Sequence, residues 1–161
     1  MLFRSKTSDY ENYRPISLLN TLYKLIAAIT QRRLAEKLDK HLQRTQFGFR
    51  KGKSTSDAIY LIRRIAEYGE KTKNKLIMTL LDWEKAFDKV DREGMFTALE
   101  RMNVDVKIIN IIKQLYKRTE FKVEIDGGQS EWEEQCTGIR QGCPLSPFLF
   151  LVVMTVMFHD I

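Results

Sequence analysis

The sequence predicts an α+β fold, and three observations lead to that prediction. Residues 76–81, LIMTLL, form a short apolar run with a β-branched residue, of the length expected for a buried strand. Five segments repeat apolar residues at helical spacing. Residues 121–125 alternate apolar and charged side chains and precede Asp126-Gly127-Gly128 and a second stretch to residue 135, which predicts a β-hairpin.

The first two helices in chain order have recognisable start signals. The first is predicted over residues 17–41, with Ser17 as N-cap, because leucines and isoleucines recur every three or four positions. The second is predicted over residues 57–73, capped by Ser54 or Ser56, with Ile59, Ile62 and Ala66 on one face.

The remaining helices flank the predicted hairpin. Residues 91–102 and 105–116 both read as amphipathic helices that pack into the core. The buried stripe of the second is predicted to be Val106, Ile109, Ile112 and Leu115. A Gly- and Pro-rich loop at residues 137–147 follows the hairpin, and Ser146 is predicted to cap a final helix with Pro147 at its first position.

Length and composition bound the class of protein. With 161 residues, 43% hydrophobic and 30% charged, the chain is most simply one domain with a moderate core. The apolar stretch at residues 148–158 is too short to span a bilayer, and the first six residues lack a secretion signal, so a soluble intracellular protein without a membrane partner is expected. Cys136 and Cys143 have neither CxxC spacing nor paired histidines, so neither a zinc site nor a disulfide framework is predicted.

The net charge of +6 is unevenly divided along the chain. Residues 1–75 carry 17 lysines and arginines against 7 acids, whereas residues 76–161 carry 10 against 14. A basic first half and an acidic second half suggest a polyanion held by one part and divalent cations held by the other. Solvated helix faces explain the same charges equally well.

Asp82 directly follows the predicted strand. A carboxylate at the end of a buried strand is costly unless a positive partner such as a metal ion meets it. The loop at residues 46–56, QFGFRKGKSTS, carries three basic residues but is not a Walker A loop, because only three residues separate Gly48 from Gly52. A phosphate-binding α/β enzyme using Asp82 as an acid is therefore a remote alternative.

Four motifs together carry a resemblance to a known family. NYRPISLLN, QFGFRKGKST, LLDWEKAFDKVDR and GIRQGCPLSPFLF stand in this order at residues 12–20, 46–55, 80–92 and 138–150. In wording and spacing the series resembles the reverse transcriptase domain of non-LTR, LINE-type retrotransposons, over nearly the whole chain. The resemblance implies an α+β right-hand polymerase, with fingers near residues 1–75 and a partial palm over residues 76–161.

The resemblance also implies an RNA-directed DNA polymerase that uses an RNA template, a DNA primer and dNTPs. Asp82 is similar to the first catalytic aspartate of the palm, a ligand of two magnesium ions, and Trp83 would give one of them its main-chain carbonyl. Phe87 matches the residue that lies under the incoming sugar, although an ordinary core aromatic is the alternative from periodicity alone. Asp88 is expected to cap or to pair locally.

Further motif positions imply contacts with substrate and template. Arg14 matches the fingers arginine that grips the incoming triphosphate. Gln141 and Gly142 match the residues that line the pocket of the nascent base pair, Gly142 by permitting close backbone approach. Three basic residues of the loop at 46–56 are candidates for contact with the template backbone: Arg50, Lys51 and Lys53. A solvated loop explains these residues equally well.

One part of the family pattern is missing from the 161 residues. The paired-aspartate hairpin that completes the metal site does not occur within them, and neither that hairpin nor a thumb is expected in this stretch. One aspartate and one carbonyl hold two magnesium ions poorly, so the 161-residue chain alone is expected to be inactive. A catalytically inactive remnant that binds RNA or DNA is the alternative function, and a nuclear location is implied only by the family. Loss of pairing strands is expected to leave an exposed edge at residues 76–81.

Overall fold

Five helices and two short antiparallel ladders make up the fold in the computed structural model, which describes residues 16–125 and 128–159. The helices are α1 (Thr21–Leu38), α2 (Thr55–Thr72), α3 (Arg92–Arg101), α4 (Val106–Tyr116) and α5 (Ser146–His159), and a 3₁₀ turn at Asp39–His41 extends α1. The strands are β1 (Glu120–Phe121), β2 (Glu124–Ile125), β3 (Gly128–Gln129) and β4 (Glu133–Glu134). The coarse prediction of helices with a small sheet is confirmed.

The hairpin forms where the alternating pattern predicts it. β2 pairs with β3 next to the turn, and β1 pairs with β4 further out, both antiparallel. Thr119, at the base of the hairpin, is buried, and its hydroxyl donates to the Gln135 carbonyl at 2.6 Å. The turn residues 126 and 127 lie outside the described residues.

The core lies between α1, α3, α4, α5 and the loop that precedes α5. Its fully covered side chains include Leu34 of α1, Leu99 of α3, Ile112 of α4 and Leu149 of α5. In the predicted α4 stripe, Ile109 and Ile112 are buried and Leu115 is half-buried, but Val106 is 66% exposed. Val106 lies off the buried face of α4, which is formed by Ile108, Ile109, Ile112 and Tyr116.

Three helices start within two residues of the predicted positions. Ser54, one of the two predicted caps, caps α2 with a reciprocal bond to Asp57. α3 and α4 start one residue after their predicted first residues, Asp91 and Asp105, which the structure shows to be their caps. The other two helix starts differ from the prediction. The first exception is α1, which begins at Thr21 because the Asn20 side chain accepts from the Tyr23 amide at 2.7 Å. Ser17 is therefore not the N-cap.

The second exception is α5. Ser146 is the first residue of this helix rather than its cap, and it is fully buried. Its hydroxyl shares a hydrogen bond of 3.2 Å with the Tyr116 hydroxyl, so the polar group is satisfied by the end of α4.

The prediction of a buried strand at residues 76–81 is wrong for the described residues. No described segment forms a ladder with this run, and its exposures range from 47% at Leu76 to 82% at Leu80. A strand requires a partner for its amides and carbonyls, and a short apolar sequence does not supply one by itself. α2 is also exposed: Ile59 is 52% and Ile62 42% accessible, and no side chain of this fully described helix is buried.

Within residues 16–125 and 128–159, no helix is both long and apolar enough to cross a bilayer.

Candidate active site

Asp82 and Trp83 lie on the surface, ahead of a tight turn. Both residues are exposed, Trp83 by 47%. The turn at residues 84–89 is closed by the Lys85 carbonyl, which accepts from the amides of Asp88 at 2.9 Å and Lys89 at 3.1 Å. The turn thus carries the chain from Asp82 to the start of α3 without a regular strand.

This turn is fastened to the loop before α5 through its backbone. The Ile139 amide donates to the Phe87 carbonyl at 2.8 Å, and the Gly138 amide donates to the Val90 carbonyl at 2.9 Å. Gly138 has φ +78°, and a Cβ there would lie 2.7 Å from the Asp88 carbonyl oxygen. Glycine is required at this position because both the conformation and the close approach exclude a side chain.

Gln141 and Asp88 join the two motifs through their side chains. Gln141 Nε2 donates to Asp88 Oδ1 at 3.2 Å, across 53 positions of sequence. The prediction that Asp88 caps or pairs locally is therefore wrong, because its partner comes from the distant loop. A carboxylate accepts only, so it orients the amide of Gln141 with the nitrogen towards Asp88.

Gly142 permits a close approach of the backbone, and the approaching segment belongs to this chain. The Ser17 amide donates to the Gln141 carbonyl at 2.8 Å, and Ile16 and Gln141 form an isolated parallel bridge. Gly142 has φ +98°, and a Cβ there would lie 2.9 Å from the Ser17 carbonyl oxygen. Arg14, the predicted triphosphate ligand, lies outside the described residues.

Phe87 is half-buried between two other aromatic rings. Its ring stacks on Phe150 of α5 at 5.2 Å between centroids and 17° between planes. On another side it meets Phe49 edge-on at 6.4 Å, and Phe49 belongs to the basic loop at residues 46–56. The ring is therefore held in place beside the Asp88–Gln141 pair, while its role under a sugar stays a prediction.

Arg50 lies inside the basic loop and fastens it to the end of α1. Its guanidinium donates to both carboxylate oxygens of Asp39 at 2.9 Å, to the Asp39 carbonyl and to the Gln43 carbonyl, and its side chain is 8% exposed. The Arg50 guanidinium holds the pKa of Asp39 below its usual range through these hydrogen bonds. Arg50 is therefore not the solvated side chain that the sequence offered as one alternative, and its contact with a template stays a prediction.

Lys51 and Lys53 are the exposed cations of this loop. The ammonium group of Lys53 donates to the Arg44 carbonyl at 3.1 Å and lies 5.2 Å from the centre of the Phe47 ring. Contact of either lysine with a template stays a prediction.

Arg140, which was not singled out from the sequence, anchors the loop before α5 to α1 and α4. The Arg140 guanidinium lies 4.9 Å from the Tyr23 ring and 5.8 Å from the Tyr116 ring, and it donates to the Leu115 carbonyl at 3.2 Å. The Tyr23 hydroxyl also contacts the Cys143 sulfur at 3.7 Å. Burial raises the pKa of both tyrosines. The only sequence signal was the position of Arg140 beside Gln141, since periodicity does not reveal which rings meet a cation.

Asp82 and the Trp83 carbonyl offer the hard oxygen donors that Mg²⁺ prefers. Within the described residues, however, no three His, Cys, Asp or Glu side chains form a group that could hold a metal ion. The role of Asp82 and Trp83 as metal ligands therefore stays a prediction.

The comparisons with known proteins agree with the motifs. The family model described as reverse transcriptase (RNA-dependent DNA polymerase) matches residues 5–161, and the chain belongs to this family. Its relatives are proteins of non-LTR retrotransposons, which confirms the resemblance found in the sequence.

Three of these relatives illustrate the match. The chain is 32% identical over 140 residues to the transposon TX1 uncharacterized 149 kDa protein of Xenopus laevis, covering 87% of the chain and 11% of that protein. It is 28% identical to the RNA-directed DNA polymerase from mobile element jockey of Drosophila melanogaster, covering 93% and 16%. It is 27% identical to the Pol polyprotein of retrotransposable element R2 of Nasonia vitripennis, covering 95% and 15%. The chain thus spans less than a fifth of the length of each of these three relatives.

Proposed function

We propose that this chain carries part of the nucleotidyl-transfer site of an RNA-directed DNA polymerase. Its substrates in the whole protein are an RNA template, a DNA primer and dNTPs. The observation that carries the proposal is the hydrogen bond between Gln141 and Asp88. It connects the segment of Asp82 and Phe87 to the segment of Gln141 and Gly142, two regions with no proximity in sequence.

Asp82 and the Trp83 carbonyl are proposed to hold magnesium, because both are exposed oxygen donors at the start of the turn. When bound, the two ions neutralise charge that develops on the attacking and leaving oxygens. Asp88 is proposed to keep Gln141 in the orientation that contacts the nucleotide or template, and Phe87 to lie under the sugar. Arg14 is proposed to bind the triphosphate by its guanidinium fork.

The division into fingers over residues 1–75 and a partial palm over residues 76–161 is part of the same proposal. Phe49 supports a connection between the two parts, because it belongs to the first and touches Phe87 of the second. Lys51 and Lys53 are proposed to contact the template phosphates from the first part.

A chimera tests the catalytic proposal. This chain replaces the matching segment of the jockey RNA-directed DNA polymerase, and primer extension is measured on an RNA template. We expect extension by the chimera and a loss of at least about 10³-fold on Asp82→Asn, because a ligand carboxylate is removed. Glu84→Gln is the matched control, since Glu84 is exposed and pairs only with Lys89 among the described residues. Equal rates for the Asp82→Asn and unsubstituted chimeras would refute the role of Asp82.

A second candidate function is nucleic-acid binding without catalysis by the 161-residue chain alone. The exposed lysines 51 and 53 favour it, and so does the lack, among residues 16–125 and 128–159, of three grouped His, Cys, Asp or Glu side chains that could hold a metal ion. We expect no appreciable primer extension by the purified chain. RNA affinity is measured as a function of salt concentration. The slope of log affinity against log salt is expected to become shallower by about 1.4 in Lys51→Gln/Lys53→Gln, or about 0.7 for each phosphate contact. An unchanged slope would remove these lysines from the interface.

A further inference from the structure

A four-residue turn presents Gln141 and Gly142, the two predicted residues of the nucleotide pocket. Its ends are Arg140 and Cys143, and the Cys143 amide donates to the Arg140 carbonyl at 3.4 Å. Gly142, the third residue of the turn, has φ +98°, and a positive φ at this position is typical of a type II turn. Whatever holds the two ends of the turn therefore also holds the two residues between them.

One side chain of α1, Tyr23, meets both ends of this turn. The Arg140 guanidinium lies 4.9 Å from the centre of the Tyr23 ring. The Tyr23 hydroxyl contacts the Cys143 sulfur at 3.7 Å, across 120 positions of sequence. Tyr23 is half-buried, and the attraction between a ring and a cation is stronger where water is partly excluded. The turn is thus fastened to α1 at both of its ends.

Arg140 is also fixed to α4. Its guanidinium donates to the Leu115 carbonyl at 3.2 Å and lies 5.8 Å from the centre of the Tyr116 ring. Leu115 belongs to the last turn of α4, where carbonyls lack a partner within the helix and a cation interacts favourably with the helix dipole. Arg140 is therefore held between two helices that come from separate parts of the chain.

The anchored Arg140 determines where the Gln141 side chain points. Ile16 and Gln141 form a parallel bridge, so the backbone is extended at Gln141. Successive side chains of extended backbone point to opposite sides. Arg140 points towards α1 and α4, whereas the Gln141 amide meets Asp88 at 3.2 Å. A rotation of the turn would consequently displace both side chains together.

We propose that Tyr23 and Arg140 are positioning residues for nucleotide addition, and that their cation–ring contact fixes the turn so that Gln141 and Gly142 face the incoming nucleotide. This inference rests on the proposed polymerase function and adds two residues that act through the turn without touching substrate. A purely structural role, in which Arg140 only caps α4, would lower stability without moving the Gln141 side chain.

The side-chain amide of Gln141 reports the position of the turn. In a ¹H–¹⁵N NMR spectrum of the 161-residue chain, Gln141→Ala assigns the two amide signals, and Asp88→Ala gives their positions without the bond to Asp88. We expect Arg140→Gln and Tyr23→Leu each to move these signals most of the way to the Asp88→Ala positions. Tyr23→Phe is expected to leave them in place, because it keeps the ring that attracts the guanidinium and removes only the hydroxyl.

A second variant and a matched control keep the test independent of unfolding. The backbone amide signals of the same spectra show whether each variant is folded. Tyr23→Leu leaves the bond from Arg140 to α4 available, so it carries the test if Arg140→Gln does not fold. Lys113→Met is the control, because the Lys113 ammonium lies 5.2 Å from the centre of the Phe96 ring and 3.7 Å from Glu100, both on α3. It removes a cation–ring contact from α4 and is expected to leave the Gln141 signals unchanged.

Kinetics in the jockey chimera test the functional part of the proposal. We expect Arg140→Gln and Tyr23→Leu to raise the KM for dNTPs on the order of 10-fold with a smaller change in kcat, because a displaced turn weakens nucleotide binding. Asp82 does not depend on this turn for its place in the chain, so the chemical step should be affected less. Lys113→Met is expected to change neither constant.

Three results would overturn the proposal. The first is a set of Gln141 signals that keep their original positions in folded Arg140→Gln or Tyr23→Leu. The second is an equal displacement in Tyr23→Phe and Tyr23→Leu, which would exclude the cation–ring contact as the cause. The third is a KM for dNTPs that Arg140→Gln changes no more than Lys113→Met does.

The polymerase proposal fails separately from this one. If Asp82→Asn left primer extension by the chimera unchanged, the assignment of the catalytic site would be refuted. The Gln141 signals of the 161-residue chain would still decide whether Tyr23 and Arg140 position the turn, because that measurement requires no catalysis.

Discussion

Gln141 donates its side-chain amide to the Asp88 carboxylate at 3.2 Å, and this bond joins two loops that are 53 residues apart. We expect Gln141→Ala and Asp88→Ala each to destabilise the chain. A double-mutant cycle should give a coupling free energy of about 1 kcal/mol, because either substitution alone already removes the hydrogen bond to the charged group. Urea unfolding of the four proteins at pH 7 measures this coupling. Strictly additive effects would show that the pair contributes nothing to the docking of the loops.

Gly138 is expected to be the least replaceable glycine of the loop. Gly138→Ala forces a Cβ to within 2.7 Å of the Asp88 carbonyl oxygen at φ +78°, and relief requires the two backbone bonds to residues 87 and 90 to break. We expect a loss of about 3 kcal/mol in unfolding free energy. Gly52→Ala is the matched control, because Gly52 has φ +73° with open space around it, and a loss of only about 1 kcal/mol is expected. Similar losses for the two variants would mean that conformation alone, and not the close approach, restricts Gly138.

The Arg50–Asp39 pair is expected to give a pH-dependent contribution to stability. Since the folded pKa of Asp39 lies below its unfolded value, the contribution is complete above the unfolded pKa of about 3.9 and is lost as pH falls through the folded pKa. The destabilisation caused by Asp39→Asn should therefore be largest near pH 7 and shrink below about pH 4.

A second substitution tests the geometry of the same pair. We expect Arg50→Lys to cost about 1–2 kcal/mol at pH 7, because an ammonium group cannot reproduce the forked bonds to the carboxylate and the loop carbonyls. Urea unfolding across pH measures both effects. A destabilisation by Asp39→Asn that does not vary with pH would contradict the ion pair.

Phe87 is expected to affect both packing and sugar selection. Phe87→Ala removes the stacking on Phe150 and the edge contact with Phe49, so we expect a loss of about 2–3 kcal/mol in the unfolding free energy of the 161-residue chain. In the jockey chimera, Phe87→Val is expected to raise the use of ribonucleotides relative to deoxyribonucleotides by at least about 10-fold. Phe150→Leu is the control, because it disturbs the same stack without touching the proposed sugar position. If Phe87→Val and Phe150→Leu changed the selectivity between ribonucleotides and deoxyribonucleotides equally, Phe87 would act only as a core aromatic.

Local signals in the sequence predicted much of the fold. Ser54, one of the two caps predicted for α2, begins that helix, and α3 and α4 begin within one residue of their predicted starts, since a cap depends on residues within one turn of it. The hairpin follows from its own alternation and turn residues. The prediction of a strand at residues 76–81 was wrong, because strand pairing depends on a second segment that these six residues do not specify.

The candidate site was only partly predictable. The motif resemblance singled out Asp82, Phe87, Gln141 and Gly142, and their assigned roles stay predictions. Neither the engagement of Arg50 by Asp39 nor the stacking of Arg140 on two tyrosines was predicted from sequence. Both depend on side chains brought together from separate segments.

The sequence by itself determined the family, the succession of helices and hairpin, and the chemical types present at the site, because each depends on residues read locally or as motifs. Only the tertiary structure decided which of these residues meet. It placed Asp88 against Gln141, the Ser17 carbonyl against Gly142 and the Arg140 guanidinium beside the rings of Tyr23 and Tyr116. The physical reason is that such contacts depend on how helices and loops pack across many positions of sequence, whereas capping and alternation act within a few residues.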